Sequence, residues 1–156
     1  MTAELAKTTG TTQTAGLTAT TVSAVAATGD LTINVGAAAS NVTGGSGADT
    51  FAFAGNLGST DVIIGGDGAD TLTAAMAAGA AAATMSGVQT ATLEFGTAGA
   101  SFSGVNVDDL TTITIDAASD EAVTLTNLDD TVTSVRIGST AAGAAGDAAA
   151  IRYTTG

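Results

Sequence analysis

The sequence predicts an all-β fold: a parallel β-solenoid (β-helix or β-roll) of about six coils of ~21 residues each. Three observations support this. The segment Gly-Gly-Ser-Gly-Ala-Asp-Thr-Phe that begins at Gly44 recurs as Gly-Gly-Asp-Gly-Ala-Asp-Thr-Leu from Gly65, an offset of 21. Residues 106–109 (Asn-Val-Asp-Asp) recur as 127–130 (Asn-Leu-Asp-Asp), again at 21. Short segments that alternate apolar and polar residues, the strand period, follow the same spacing.

The composition suits a narrow core. The 156 residues include 35 Ala, 30 Thr and 21 Gly, whereas Leu, Ile, Val and Phe together number only 31. Such a chain cannot fill one thick apolar core, but a solenoid needs only one or two apolar side chains per strand and accepts Ala and Gly at its corners. The alternative is a disordered Ala/Thr/Gly linker.

The elements follow in order along the chain. Residues 1–21 are Thr-rich and predict an extended arm, and residues 22–156 predict the solenoid. Segments 74–83 and 141–150 are Ala-rich and predict a short helix or loop. One set of strands is predicted at 31–35, 50–54, 71–73, 92–95, 112–115 and 135–137, and a second at 62–64, 101–105, 123–125 and 151–153.

Several function classes are excluded by what the sequence lacks. With neither Cys nor His, the chain has no Cys/His zinc site, thiolate nucleophile or Ser-His-Asp triad. Three basic residues against 15 acidic ones, a net charge of −12, give no footprint for nucleic acid. No segment is long and apolar enough to predict membrane insertion, and the N-terminus shows no signal peptide. We therefore expect no catalytic residues and no enzyme activity.

The glycine-rich repeat carries the chemistry. Glycines allow a backbone that turns its carbonyl oxygens inward, and the Asp adds a charged oxygen. Calcium prefers six to eight such hard oxygen ligands and tolerates irregular geometry. Asp49 and Asp70 are one coil apart, so two stacked turns predict one calcium site. The alternative is a turn that needs no metal, in which each Asp accepts backbone N–H groups.

Residues 44–52 and 65–73 resemble the calcium-binding nonapeptide of the RTX (repeats-in-toxin) family, Gly-Gly-x-Gly-x-Asp-x-apolar-x. A degenerate copy ends at Asp61, and the resemblance implies that it lies on the opposite edge. The flanking coils are similar to those of bacterial surface-layer (S-layer) proteins. The resemblance implies Ca²⁺ as the cofactor, secretion by a type I route and an extracellular or cell-surface location. The residues that it implies as metal ligands are Gly44, Gly45, Ser46, Gly47, Asp49, Gly65, Gly66, Asp67, Gly68 and Asp70, with Asp61.

Two further features leave alternatives open. The pairs Asp108-Asp109 and Asp129-Asp130 are either solvated turn acids or a second cation site with Asn106 and Asn127. A ladder of Thr residues on one face is explained by solvent-facing strands or by ice binding, although Glu94 then interrupts the neighbouring rank between Thr73 and Thr114. The ladder comprises Thr50, Thr71, Thr92, Thr112 and Thr133.

The predicted function is a calcium-dependent, self-assembling structural protein, either a layer or a filament subunit. Open solenoid ends lack polar caps, so end-to-end stacking would give a homo-oligomer or polymer, and the arm over residues 8–21 could donate a strand to a neighbour. The alternatives are a non-assembling RTX adhesin or binding module and, as a minor one, an ice-binding solenoid.

Overall fold

The fold is a parallel β-solenoid, as predicted. A computed structural model of the chain describes residues 2–4, 13–17, 20–36, 40–116, 118–119 and 121–138. Over these residues the protein is all-β without a helix and winds through about five turns. The strand predicted at 151–153 and the Ala-rich segment 141–150 lie outside the described residues.

Three parallel sheets form the walls of the solenoid. Sheet A contains β1 (Thr2–Glu4), β3 (Thr21–Ser23), β5 (Asn41–Thr43), β7 (Val62–Ile64) and β10 (Thr84–Ser86). Sheet B contains β2 (Gln13–Leu17), β4 (Thr32–Val35), β6 (Thr50–Ala54), β8 (Thr71–Ala75), β11 (Thr90–Glu94), β13 (Thr112–Ile115) and β15 (Ser134–Ile137). Sheet C contains β9 (Gly79–Ala81), β12 (Ala100–Ser103) and β14 (Leu125–Thr126). Each winding therefore places its strands beside those of the winding before it.

The register of sheet B follows the predicted 21-residue coil only in part. Phe51 pairs with Leu72, as the spacing of 21 predicts. Leu72 pairs with Ala91, 19 residues later, and Ala91 pairs with Ile113, 22 residues later. The alignment of Leu93 with Leu72 was therefore wrong, because the coil between β8 and β11 is two residues shorter than the coil before it.

The Ala-rich segment 74–83 does not form the short helix that its composition favours. Its first residues end β8, and its centre forms β9, which pairs with β12 through Gly79, Ala80 and Ala81. Ala has a high helix propensity, but propensity is a weak preference that tertiary pairing overrides. This segment opens sheet C, so the later windings have three walls.

Strands also lie within the N-terminal segment that the sequence assigns to an extended arm. β1 pairs with β3, and β2 pairs with β4 with a shift in register. The boundary between arm and solenoid stays a prediction.

The core is a narrow column of inward-facing side chains. On sheets A and B the buried residues alternate with half-buried or exposed ones. The largest fully buried side chains come from successive coils: Phe51, Phe95, Phe102, Leu31, Ile33, Ile63, Leu72, Met85, Leu93, Leu110, Ile113 and Ile115. The core thus has the thin form that the composition predicts.

Phe51→Ala is expected to destabilise the fold by about 3–5 kcal/mol, because it leaves a cavity in this column. Phe51 is fully buried and pairs with Ile33 and Leu72 in the neighbouring coils. Urea unfolding followed by circular dichroism measures the change. Thr50→Ala, one residue away on the outer face, is the control and should cost far less; equal losses would contradict this account of the core.

Candidate metal site at the stacked glycine turns

The structure stacks the two glycine-rich turns at one corner of the solenoid. Residues 44–49 lead into β6 and residues 65–70 lead into β8, and these strands pair in register. Within the turns, the Asp67 N–H donates to the Gly45 carbonyl at 3.0 Å. A Cβ at Gly66 or Gly68 would overlap the carbonyl oxygen of Gly45 or Gly47 in the turn below. The glycines are needed because the two backbones touch.

A ladder of hydrogen bonds joins successive coils at this corner. Asp49 Oδ1 accepts the Leu31 N–H at 2.9 Å, and Asp70 Oδ1 accepts the Asp49 N–H at 2.7 Å. Gln89 Oε1 accepts the Asp70 N–H at 2.7 Å. Each side chain thus binds the backbone of the coil before it, and Asp49 and Asp70 are only 1% exposed.

The second oxygens of the two carboxylates differ. Asp49 Oδ2 accepts the Gly45 N–H at 2.7 Å, whereas Asp70 Oδ2 is buried without a hydrogen-bond partner in the described part of the chain. Gly66, the counterpart of Gly45, has a φ of +101°, and Gly45 has no positive φ. Two turns with the same sequence pattern therefore have different backbones, and only the second leaves a buried carboxylate oxygen unsatisfied.

A second oxygen lies close to this orphaned atom. A Cβ built at Gly65 would overlap the carbonyl oxygen of Gly87 and lie 2.5 Å from Asp70 Oδ2. The open side of Gly65 is therefore lined by one carboxylate oxygen and one carbonyl oxygen. Oxygens of these two kinds are the ligands that calcium takes from proteins.

The electrostatics of Asp70 match its position. Burial raises the pKa of Asp70 above its ordinary value of 3.8; the N–H of Asp49 opposes this shift, and the negative charge of Asp49 adds to it. A buried carboxylate with a free oxygen beside another carboxylate carries an unfavourable charge. A cation at this corner would relieve it.

Asp61 lies at a different corner, before β7 of sheet A, whereas Asp49 and Asp70 precede strands of sheet B. Its Oδ1 accepts the Ser40 N–H and its Oδ2 accepts the Gly58 N–H, each at 2.8 Å. Both oxygens are occupied, so the degenerate copy has the geometry of a metal-free turn brace.

The paired acids near the C-terminal coils are turn residues. Asp109, with a φ of 70°, accepts the Gly87 N–H at 3.0 Å. Asp108, Asp129 and Asp130 are exposed, and hydrogen bonding with Asp129 together with its charge raises the pKa of Asp130. β13 and β15 pair at a spacing of 22, so the predicted 21-residue stacking of the two pairs was wrong by one residue.

The sequence analysis missed Gln89 and Gly87 as members of this corner. Gln89 precedes Thr90 as Asp70 precedes Thr71, and the pairing of Thr71 with Thr90 puts the two acceptors in register. The signal was therefore present as an acceptor followed by Thr, but at a spacing of 19 instead of 21.

The donor set suits calcium only if backbone oxygens contribute. The described residues contain no group of three or more acidic side chains placed to hold a metal ion. Asp70 with turn carbonyls, and Asp49 directly below, would supply hard oxygens of mixed charge. This is the type of site that calcium accepts and that transition metals, which favour nitrogen and sulfur, do not.

Comparison with protein-family models, with curated proteins and with solved structures finds no match. Within the described ranges, no helix has the length and apolar character needed to cross a membrane.

Proposed function

We propose that this protein is a calcium-stabilised, self-assembling structural protein of an extracellular layer or filament. The observation that carries the calcium dependence is the buried, unpartnered Oδ2 of Asp70 at the stacked glycine turns. Calcium there would neutralise the carboxylate and tie the windings together. Since the site is assembled only in the folded solenoid, binding free energy would add to folding free energy.

Asp70 and Asp49, with the turn carbonyls, are the residues that would hold the ion, and the resemblance to RTX repeats agrees with this. An extracellular location with secretion by a type I route also rests on that resemblance. Calcium is abundant outside cells, so export would couple secretion to folding.

Self-assembly is supported by the last strand of the solenoid. Ser134 and Gly138 donate their N–H groups to β13, so the N–H groups of the alternate residues Val135 and Ile137 point away from it. β15 ends the strand order of sheet B among the described residues. Ile137 occupies a core-facing position, beside buried Ile115, but is 55% exposed. An apolar side chain and an unpaired strand edge together favour the end of a second copy.

We expect calcium to produce polymers of the wild-type protein, visible by size-exclusion chromatography and electron microscopy. Ile137→Lys should abolish them, because it places a charge on the stacking end. Val25→Lys, the same change at a residue that is 71% exposed in a turn, is the control and should leave assembly intact. A folded wild-type monomer at high concentration in calcium would overturn self-assembly and favour a non-assembling binding module.

Catalysis has little support in the geometry. A groove of about 310 Å³ on the outer face of sheet B is lined mostly by Ala, Thr and apolar residues, with two acids at one end, Glu94 and Asp116. No base and nucleophile pair lines it, so the proposed role is structural.

A further inference from the structure

The outer face of sheet B carries a regular array of hydroxyl groups. The register places a hydroxyl side chain at one position on six successive strands, from β4 to β15. This first rank consists of Thr32, Thr50, Thr71, Thr90, Thr112 and Ser134.

A second rank lies two residues further along the same strands. It consists of Asn34, Ala52, Thr73, Thr92, Thr114 and Arg136. Glu94 does not interrupt it, as the 21-residue spacing had predicted: Thr92 lies between Thr73 and Thr114, and Glu94 pairs with Ala75 in the next rank. Three adjacent strands, β8, β11 and β13, thus present Thr at both positions, and we call these six residues the Thr array.

The hydroxyls of the Thr array are available to solvent. Within the described residues, the Thr73 hydroxyl alone among the six has a protein acceptor, the Phe51 carbonyl at 3.5 Å. Thr residues at the corners behave differently, since the hydroxyls of Thr111 and Thr133 donate to carbonyls of the preceding coil at 3.0 and 3.4 Å. The array therefore needs water as its hydrogen-bonding partner.

The array is also rigid and uncharged. Its side chains are half-buried, and Thr has a restricted χ1 angle. Neighbouring strands lie about 4.8 Å apart, and residues i and i+2 lie about 6.7 Å apart along a strand. No charged residue lies inside the array, which argues against an ion, a nucleic acid or a charged protein as its ligand.

We infer that the Thr array binds the surface of an ice crystal. Its two spacings are close to those of oxygen atoms on a prism plane of hexagonal ice, so hydroxyls and the water between the ranks can join the crystal lattice. The Thr methyl groups limit other arrangements of that water. This activity needs the folded solenoid, but it does not rest on the proposed self-assembly or calcium site.

The inference is tested by growing single ice crystals in the presence of the folded protein and measuring thermal hysteresis, crystal shape and recrystallisation. Fluorescently labelled wild-type protein should accumulate on defined crystal planes and slow recrystallisation. Folded wild-type protein that leaves ice growth unchanged would overturn the inference.

Thr92→Lys and Thr73→Lys place a charged side chain in the centre and at the edge of the array, and each should abolish most of the effect on ice. Thr43→Lys, at a half-buried outward position on sheet A, is the matched control and should retain it. Circular dichroism confirms that each variant is folded. Equal losses in the control and in the array variants would contradict binding through this face, and normal activity in folded Thr92→Lys would do the same.

Discussion

Asp70→Asn is expected to stabilise the calcium-free protein and to abolish its response to calcium. The Asn oxygen can still accept the Asp49 N–H, while the change removes a buried charge whose second oxygen has no partner. The new amide can donate to the Gly87 carbonyl, which lies on the same open side of Gly65. Urea unfolding in a chelator and in millimolar calcium measures both effects.

In calcium the order should reverse, because only the wild type binds the ion. A ligand at a hundredfold excess over its Kd stabilises the folded state by about 2.7 kcal/mol. Magnesium should not replace calcium, since it demands near-ideal octahedral geometry. Wild-type stability that is the same in calcium and in chelator would contradict the site.

Asp49→Asn provides the matched comparison in the same ladder. Both Asp49 oxygens accept N–H groups, so an amide there would face a donor and leave one N–H unsatisfied. We expect a loss of about 1–3 kcal/mol with or without calcium. If Asp70→Asn behaves in the same way in the chelator, Asp70 is a turn brace and the metal proposal fails.

The pH dependence of the comparison has a defined sign. Because the folded-state pKa of Asp70 is raised above 3.8, the folded protein binds this proton more tightly than the unfolded chain does. The penalty in the wild type is therefore absent below about 3.8, grows as the pH rises and is complete above the folded pKa. The advantage of Asn over Asp in the chelator should shrink as the pH is lowered through this window.

The fold class could be predicted from sequence because stacked turns repeat their glycines at the coil length. The offset between Gly44 and Gly65 gave the spacing of 21 that pairs Phe51 with Leu72. The next coil is two residues shorter, and a slip of two leaves every side chain on the same face of a strand. The alternation of apolar residues therefore could not reveal that Leu93 lies beside Ala74.

The decisive feature of the candidate site was beyond sequence reasoning for a different reason. The motifs that contain Asp49 and Asp70 have the same pattern, yet Gly66 takes a positive φ and Gly45 does not. Glycine permits both conformations at similar cost, so composition cannot choose between them. Contacts with the neighbouring coils differ for the two turns, because the turn below Gly45 and the turn above Gly66 have different sequences.

Gly65→Ala is expected to have the largest effect of any single methyl group added to the described chain at these turns. The new Cβ would overlap the Gly87 carbonyl and approach Asp70 Oδ2 to 2.5 Å, and a backbone atom cannot move aside as a flexible side chain can. We expect a loss of about 3 kcal/mol or more, since both the stacking of two coils and the open side of the turn are affected. Calcium should restore little of it, because the methyl group fills the space between the two oxygens.

Gly58→Ala is the control for this substitution. Gly58 belongs to the degenerate turn, and a Cβ there would meet only Asp61 Oδ2 at 3.9 Å, an ordinary contact. It should change the unfolding free energy little and leave the calcium response intact. Thermal and urea unfolding of both variants, in chelator and in calcium, separates backbone crowding from ion binding. A Gly65→Ala protein that is as stable and as calcium-responsive as Gly58→Ala would mean that the coils at this corner are not in contact, and the stacked-turn site would have to be abandoned.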